Sequence, residues 1–89
     1  MKEYKILKIV IKGEWFDAIA SKKKTIEYRE VRPFWISRLY EENGRKRHYD
    51  RIEFINGYNK DARRMITEYG GFHKKGDLFH IHVGKILKK

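Results

Sequence analysis

The chain of 89 residues carries 22 Lys and Arg against 12 Asp and Glu, a formal net charge of +10, and no cysteine. That length suits one domain over 1–89, burying roughly 60–65% of its unfolded surface. The missing cysteines exclude a disulfide framework, a thiolate zinc site and a cysteine nucleophile, and no apolar run approaches the ~18 residues of a membrane span. The first residues, MKEYKILKIVIKGEWF, offer no small-residue cleavage site, so the expectation is a cytoplasmic protein without a membrane anchor. A charged content of 38% leans toward disorder, but 40% hydrophobic and 15% aromatic residues with a single Pro argue for a packed core. A net charge of about 2–8 keeps a small domain in solution. Plus ten exceeds that need and points to a polyanionic partner, nucleic acid first.

In chain order, KILKIVI at 5–11 is short and rich in Ile and Val, which predicts a buried strand. Residues 13–22 place Trp15, Phe16 and Ile19 at i, i+1 and i+4, with acids early and lysines late, as a short helix would. In TIEYRE at 25–30, Ile26 and Tyr28 alternate with Thr25, Glu27 and Arg29, the pattern of a strand with one polar face. Arg32-Pro33 opens a second helix, RPFWISRLYEENG, with Pro33 first and Gly44 beyond its end. GRKRHYD then reads as a basic loop, and RIEFI at 51–55 as a strand stopped by Asn56-Gly57. Asp61 to Arg64 suggests one helical turn, and Met65 to Tyr69 a strand ended by Gly70-Gly71. After the turn at Lys75-Gly76-Asp77, LFHIHVGKIL predicts a strand with Phe79, Ile81 and Val83 on one face and a bulge or bend at Gly84.

Five or six short strands on so short a chain are hard to protect at their edges unless the sheet curls on itself. The expected class is therefore α+β, a small β-barrel with two short helices packed over it. Thr25, Glu27 and Arg29 share one strand face, about 6.6–7 Å apart in successive steps. Such a face is either a self-satisfied salt-bridge ladder or, if it lines a cleft, a fixed acceptor among fixed donors.

The string Lys22-Lys23-Lys24-Thr25-Ile26-Glu27-Tyr28-Arg29 resembles the Gly-x-Lys-x-x-Glu-x-Arg signature of the activating-signal-cointegrator homology (ASCH) family of PUA-like barrels. Lys24, Glu27 and Arg29 match, while Lys22 stands at the place of the Gly. KGEWFDAIAS, VRPFWISRLY, FINGY and FHIHVGKIL resemble further elements of small family members, so the similarity runs along nearly the whole chain. The resemblance implies a closed or nearly closed PUA-like barrel, a cleft between barrel and helices floored by the motif, and RNA or a nucleotide-like ligand in it. Some small members resemble amidohydrolases acting on N4-acetylcytidine through a lysine, a threonine and a glutamate; here that threonine's place holds Glu27. RNA cleavage is attributed to others. If the chain is an enzyme, Lys24 and Glu27 are its expected catalytic residues. Gly in the signature suits a helix end with positive φ, so either the turn differs here or Lys22 takes the strained conformation.

Phe34, Trp35 and Tyr40 sit at helical spacing and are expected in the core. Tyr58, beside Asn56 in a turn and followed by Lys60, Arg63 and Arg64, is placed either to stack on an unpaired base or to cap the barrel rim. Lys22 to Lys24, the loop Arg45-Lys46-Arg47-His48 and Lys60 to Arg64 form three basic clusters, a phosphate track if they share one side. His80 and His82 share a strand face, a spacing compatible with a metal, but without Cys partners they read as structural or solvent-facing. The sequence reading is a monomeric RNA-binding module without metal or cofactor, single-stranded DNA being the second candidate partner, with Lys24, Glu27 and Arg29 as recognition floor and Asn56 and Tyr58 at the rim. The alternative is a hydrolase using the same cleft.

Overall fold

A computed structural model describes residues 3–89. Its elements are β1 (Ile6–Ile11), α1 (Gly13–Ala20), β2 (Ile26–Glu30), α2 (Pro33–Leu39), β3 (Arg51–Asn56), β4 (Arg64–Lys75) and β5 (Leu78–Lys88). The strands form one mixed sheet of order β1-β3-β4-β5-β2, with β1 parallel to β3 and the other pairs antiparallel. The fold is α+β, a five-stranded sheet curled into a half-barrel with two short helices. Among the described residues no helix is long and apolar enough to cross a membrane.

Alternation along each strand builds the core. Leu7, Ile9 and Ile11 of β1 point inward with Ile52 and Phe54 of β3, Met65 and Phe72 of β4, and Phe79 and Ile81 of β5, while Phe16, Ile19 and Leu39 come from the helices. All are buried. Removing one of their larger side chains costs about 3–5 kcal/mol. Trp35 and Tyr40 pack partly buried against this cluster, whereas Phe34, expected there too, is exposed under the Arg38 guanidinium. The outcome follows from helix geometry, because the two neighbouring aromatics at 34 and 35 cannot both face inward.

The sequence expectation departs from the structure in three segments. The second helix stops at Leu39, not near Gly44, because Tyr40 turns into extended backbone and bridges to Lys46. Its ring then meets Phe72 and Phe79 edge-on, at 5.2 and 6.0 Å between centroids, so aromatic packing replaces another helical turn. No helical turn forms at Asp61 to Arg64; Asn59 instead accepts from Asp61 N through its side chain and from Ala62 N through its carbonyl, and the strand begins at Arg64. Finally, Gly70-Gly71 does not end β4. The strand runs through both, with register shifts against β5 between Ile66 and Phe72 and Gly71 at φ +84°. These glycines bend the strand: a Cβ on Gly70 would lie 3.0 Å from that of His82, and one on Gly84 only 2.9 Å from that of Glu68. The long β4–β5 hairpin curls where these backbones nearly touch.

The end of α1 answers the question raised by Lys22. Its φ is +67°, with Lys22 N donating to Ile19 O and Lys23 N to Ala18 O. This pair of bonds is a Schellman ending, with Lys22 at the left-handed position that glycine normally takes. The lysine accepts the strain, roughly 1–2 kcal/mol for an L residue, less the entropy a glycine would lose. Lys22→Gly is therefore expected to raise stability by about 1 kcal/mol, visible in urea unfolding as a higher midpoint at unchanged slope. A lower midpoint would mean that the lysine side chain contributes more than its backbone costs.

Candidate functional site

The sheet is open between its outer strands, β1 and β2, and a cleft of about 950 Å³ occupies that opening. Val10, Ile11 and Lys12 line one wall, residues 27–30 of β2 another, and Trp15, Trp35 and the turn Asn56-Gly57-Tyr58 complete it. The volume falls within the ~300–1,000 Å³ of small-molecule sites.

β2 presents its faces the other way round from a simple amphipathic strand. Glu27 is buried at 5% exposure while Tyr28 is 48% exposed, so the polar positions face inward and the tyrosine outward. Burying a carboxylate is tolerable only with cationic partners. Arg29 donates from Nε to Glu27 Oε2 at 2.9 Å, and its Nη2 lies 2.6 Å from the same oxygen. Lys24 Nζ stands 3.4 Å from Oε1. Oε2 is thus engaged by two nitrogens, and Oε1, with a single longer contact, retains capacity to accept from a ligand.

Arg29 has a second task. Its Nη2 donates to Val10 O at 2.8 Å, so one guanidinium links the two outer strands across the cleft floor. It also lies under the Trp35 ring, 5.0 Å from the centroid. Arg29 is therefore a fixed structural bridge more than a free phosphate clamp. Lys24 is held between the rings of Trp15 and Tyr28, at 4.8 and 5.1 Å, an arrangement that orients its ammonium beside Glu27. Thr25, on the same sequence parity, is exposed, lies before β2 begins and does not line the cleft.

Asn56 and Tyr58 reach the cleft as expected for rim residues, and Tyr58 is 93% exposed. The basic clusters distribute differently. Lys22 and Lys23 are exposed at the end of α1, Arg63 pairs with Asp17 of α1 and packs over Phe16, and Arg64 pairs with Glu53; Lys60 is exposed in the turn before β4. Lys22 and Lys23 thus sit at the end of α1, and from the Lys60 to Arg64 cluster Arg63 reaches α1, which also contributes Trp15 to the cleft. The third is anchored elsewhere: Lys46 Nζ donates to Phe72 O, Arg47 Nε to Ser37 O, and Arg45 is exposed. None of Arg45, Lys46 and Arg47 lines the cleft.

No family model, curated protein or solved structure matches this chain. What the cleft can do must come from its own chemistry.

Sequence reasoning passed over Trp15, Tyr28, Lys12 and Arg32 as site residues. For Trp15 a signal existed: Phe16 and Ile19, three apart, suffice for the inner face of an eight-residue helix, leaving the adjacent indole to point away. For Tyr28 none did, since only the curl of the sheet decides which face of β2 is inner. His80 and His82 do lie on one face, but among the described residues no group of three or more His, Asp or Glu is placed to hold a metal ion.

Proposed function

We propose that the cleft binds an unpaired nucleotide of RNA. The observation that carries this reading is a buried carboxylate, Glu27, fixed between Lys24 and Arg29 on the floor of a cleft walled by Trp15, Tyr28, Trp35 and Tyr58. Aromatic walls receive a planar base, and base stacking contributes about 1–3 kcal/mol per base. Glu27 Oε1 beside Lys24 Nζ offers an acceptor next to a donor, matching the edge of a base that carries an amine or imino N–H beside a carbonyl or ring nitrogen. A net charge of +10, with Lys22, Lys23 and Arg63 about α1, attracts the phosphates. On this reading the protein is an RNA-binding module of the kind its ASCH-like signature suggests.

Both tryptophans of the chain line the cleft, so intrinsic fluorescence reports its occupancy. Titration with single-stranded RNA is expected to quench or shift the emission saturably. For three phosphate contacts, raising salt from 50 to 200 mM should weaken binding about 20-fold. Unchanged emission at every RNA concentration, or an affinity that moves less than twofold with salt, overturns the reading. The Lys24–Glu27 pair facing the cleft also supports a second reading, hydrolysis of a modified cytidine or of RNA. Lys24→Ala distinguishes them: a binding module loses modest affinity, whereas a hydrolase loses turnover of N4-acetylcytidine or labelled RNA while retaining much of its binding.

A further inference from the structure

Tyr28 belongs to two surfaces. It lines the cleft, and its ring also meets that of His80 edge-on at 4.8 Å between centroids. His80 in turn lies 4.7 Å from His73, and His73 stacks on His82 at 5.0 Å. The register explains the alignment: Tyr28 is paired with His80 across β2–β5, and His80 with His73 across β5–β4. Three rings therefore stand side by side across three strands, over about two strand spacings, ~10 Å. His82, two residues along β5, holds the last in place through a 2.9 Å contact between His73 Nδ1 and His82 Nε2. Ring rows on adjacent strands are how open sheets in RNA-binding modules stack two or three bases.

We propose that the Tyr28–His80–His73 row is a second nucleotide subsite, which receives the bases of the RNA strand that flank the one held in the cleft. This extends the RNA reading above and rests on it. The rings are on an outer face, His73 exposed and His80 and His82 half-buried, and Phe79 and Ile81, which alternate with the histidines, occupy the core instead. The exposed carboxylate at this end of β2, Glu30, is paired with Arg32. The groups facing His80 are Tyr28 from β2, His73 and Lys75 from β4, and His82 on its own strand, and among the described residues none of the three histidines is in an ion pair with a carboxylate. Desolvation, then His73, Lys75 and His82, lowers the proton affinity of His80 below that of a free histidine. A phosphate arriving at the row supplies the missing counter-charge, so binding there takes up protons.

The test compares a mononucleotide with a single-stranded octanucleotide RNA, using the tryptophan emission of the full chain at pH 8 and pH 6. In the wild type the octanucleotide should bind more tightly than the mononucleotide and should gain affinity at pH 6, while the mononucleotide does not. Replacing His73 and His80 together by Ala should cost the octanucleotide about tenfold or more and leave the mononucleotide unchanged. His73→Gln, at an exposed position, keeps the His80 ring itself and should reproduce a smaller part of the same selective loss. Equal losses for both ligands, or none for either, overturn the subsite while leaving the cleft reading standing. If neither RNA binds the wild type at all, the cleft reading falls and the subsite with it.

Discussion

Glu27→Ala is expected to destabilise the protein by about 2–3 kcal/mol and to abolish nucleotide binding in the cleft. The carboxylate is 5% exposed and is the shared anion of Lys24 and Arg29, whose side chains keep 17% and 24% of their surface accessible. Breaking a fully buried pair from one side costs about 3–5 kcal/mol, because the remaining charge has lost its partner. Partial access to water for both cations reduces that figure here. The effect should spread, since Arg29 also links β2 to β1 through Val10 O, and a guanidinium released from Glu27 no longer has a fixed direction. Glu27→Gln keeps an acceptor oxygen and the shape, so it should recover part of the stability but little of the affinity for a base edge. Urea unfolding and fluorescence titration of both variants check this. A loss under about 0.5 kcal/mol for Glu27→Ala would show that the triad does not hold the open sheet together.

The second large effect is expected from a single methyl group. Gly84→Ala places a Cβ 2.9 Å from the Glu68 Cβ and 3.3 Å from the Glu68 carbonyl oxygen, both attached to the facing backbone and neither able to swing away. Strands β4 and β5 would have to separate where the sheet bends. Overpacking of this kind costs about 1–3 kcal/mol, and for a domain of this size each kcal/mol shifts Tm by roughly 4–8 °C. The cleft is on the opposite side of β5 from this crossing, across β2, so binding per folded molecule should change less than stability. Gly76→Ala is a useful contrast: it sits in the hairpin turn with nothing within 4 Å of the added Cβ, and only its φ of +60° opposes the substitution. Thermal unfolding of the two variants, with Gly76→Ala losing more, would indicate that turn conformation and not the close crossing limits this hairpin.

The elements that the amino-acid pattern made legible are those whose own residues decide their environment. KILKIVI is a strand because its branched apolar side chains favour extended backbone and need burial. RIEFI and LFHIHV are strands because period-two alternation separates Ile52 and Phe54, or Phe79 and Ile81, from polar neighbours. Gly13 to Ala20 is a helix with Phe16 and Ile19 inward, and Pro33 opens the next one as its fixed φ requires. The segments that misled are those whose fate depends on a distant partner. Tyr40 leaves the helix for Phe72 and Phe79, and Gly70-Gly71 bends a strand because β5 lies close behind it.

The candidate site divides in the same way. The sequence by itself determined that one strand carries Glu27 and Arg29 on a common face, that Lys24 precedes it, and that the chain is far more basic than solubility asks. Spacing along the strand settles the first two locally, and composition alone the third. Only the tertiary structure decided that this polar face is the inner one, that Arg29 spans to Val10, that Trp15 and Trp35 stand over the two cations, and that three rings from β2, β5 and β4 align outside. The physical reason is that a period-two pattern states which residues share a face but not which face is buried. That choice is made by curling the sheet until its outer strands approach, and the charge of Glu27 can go inside because Lys24 and Arg29 go in with it.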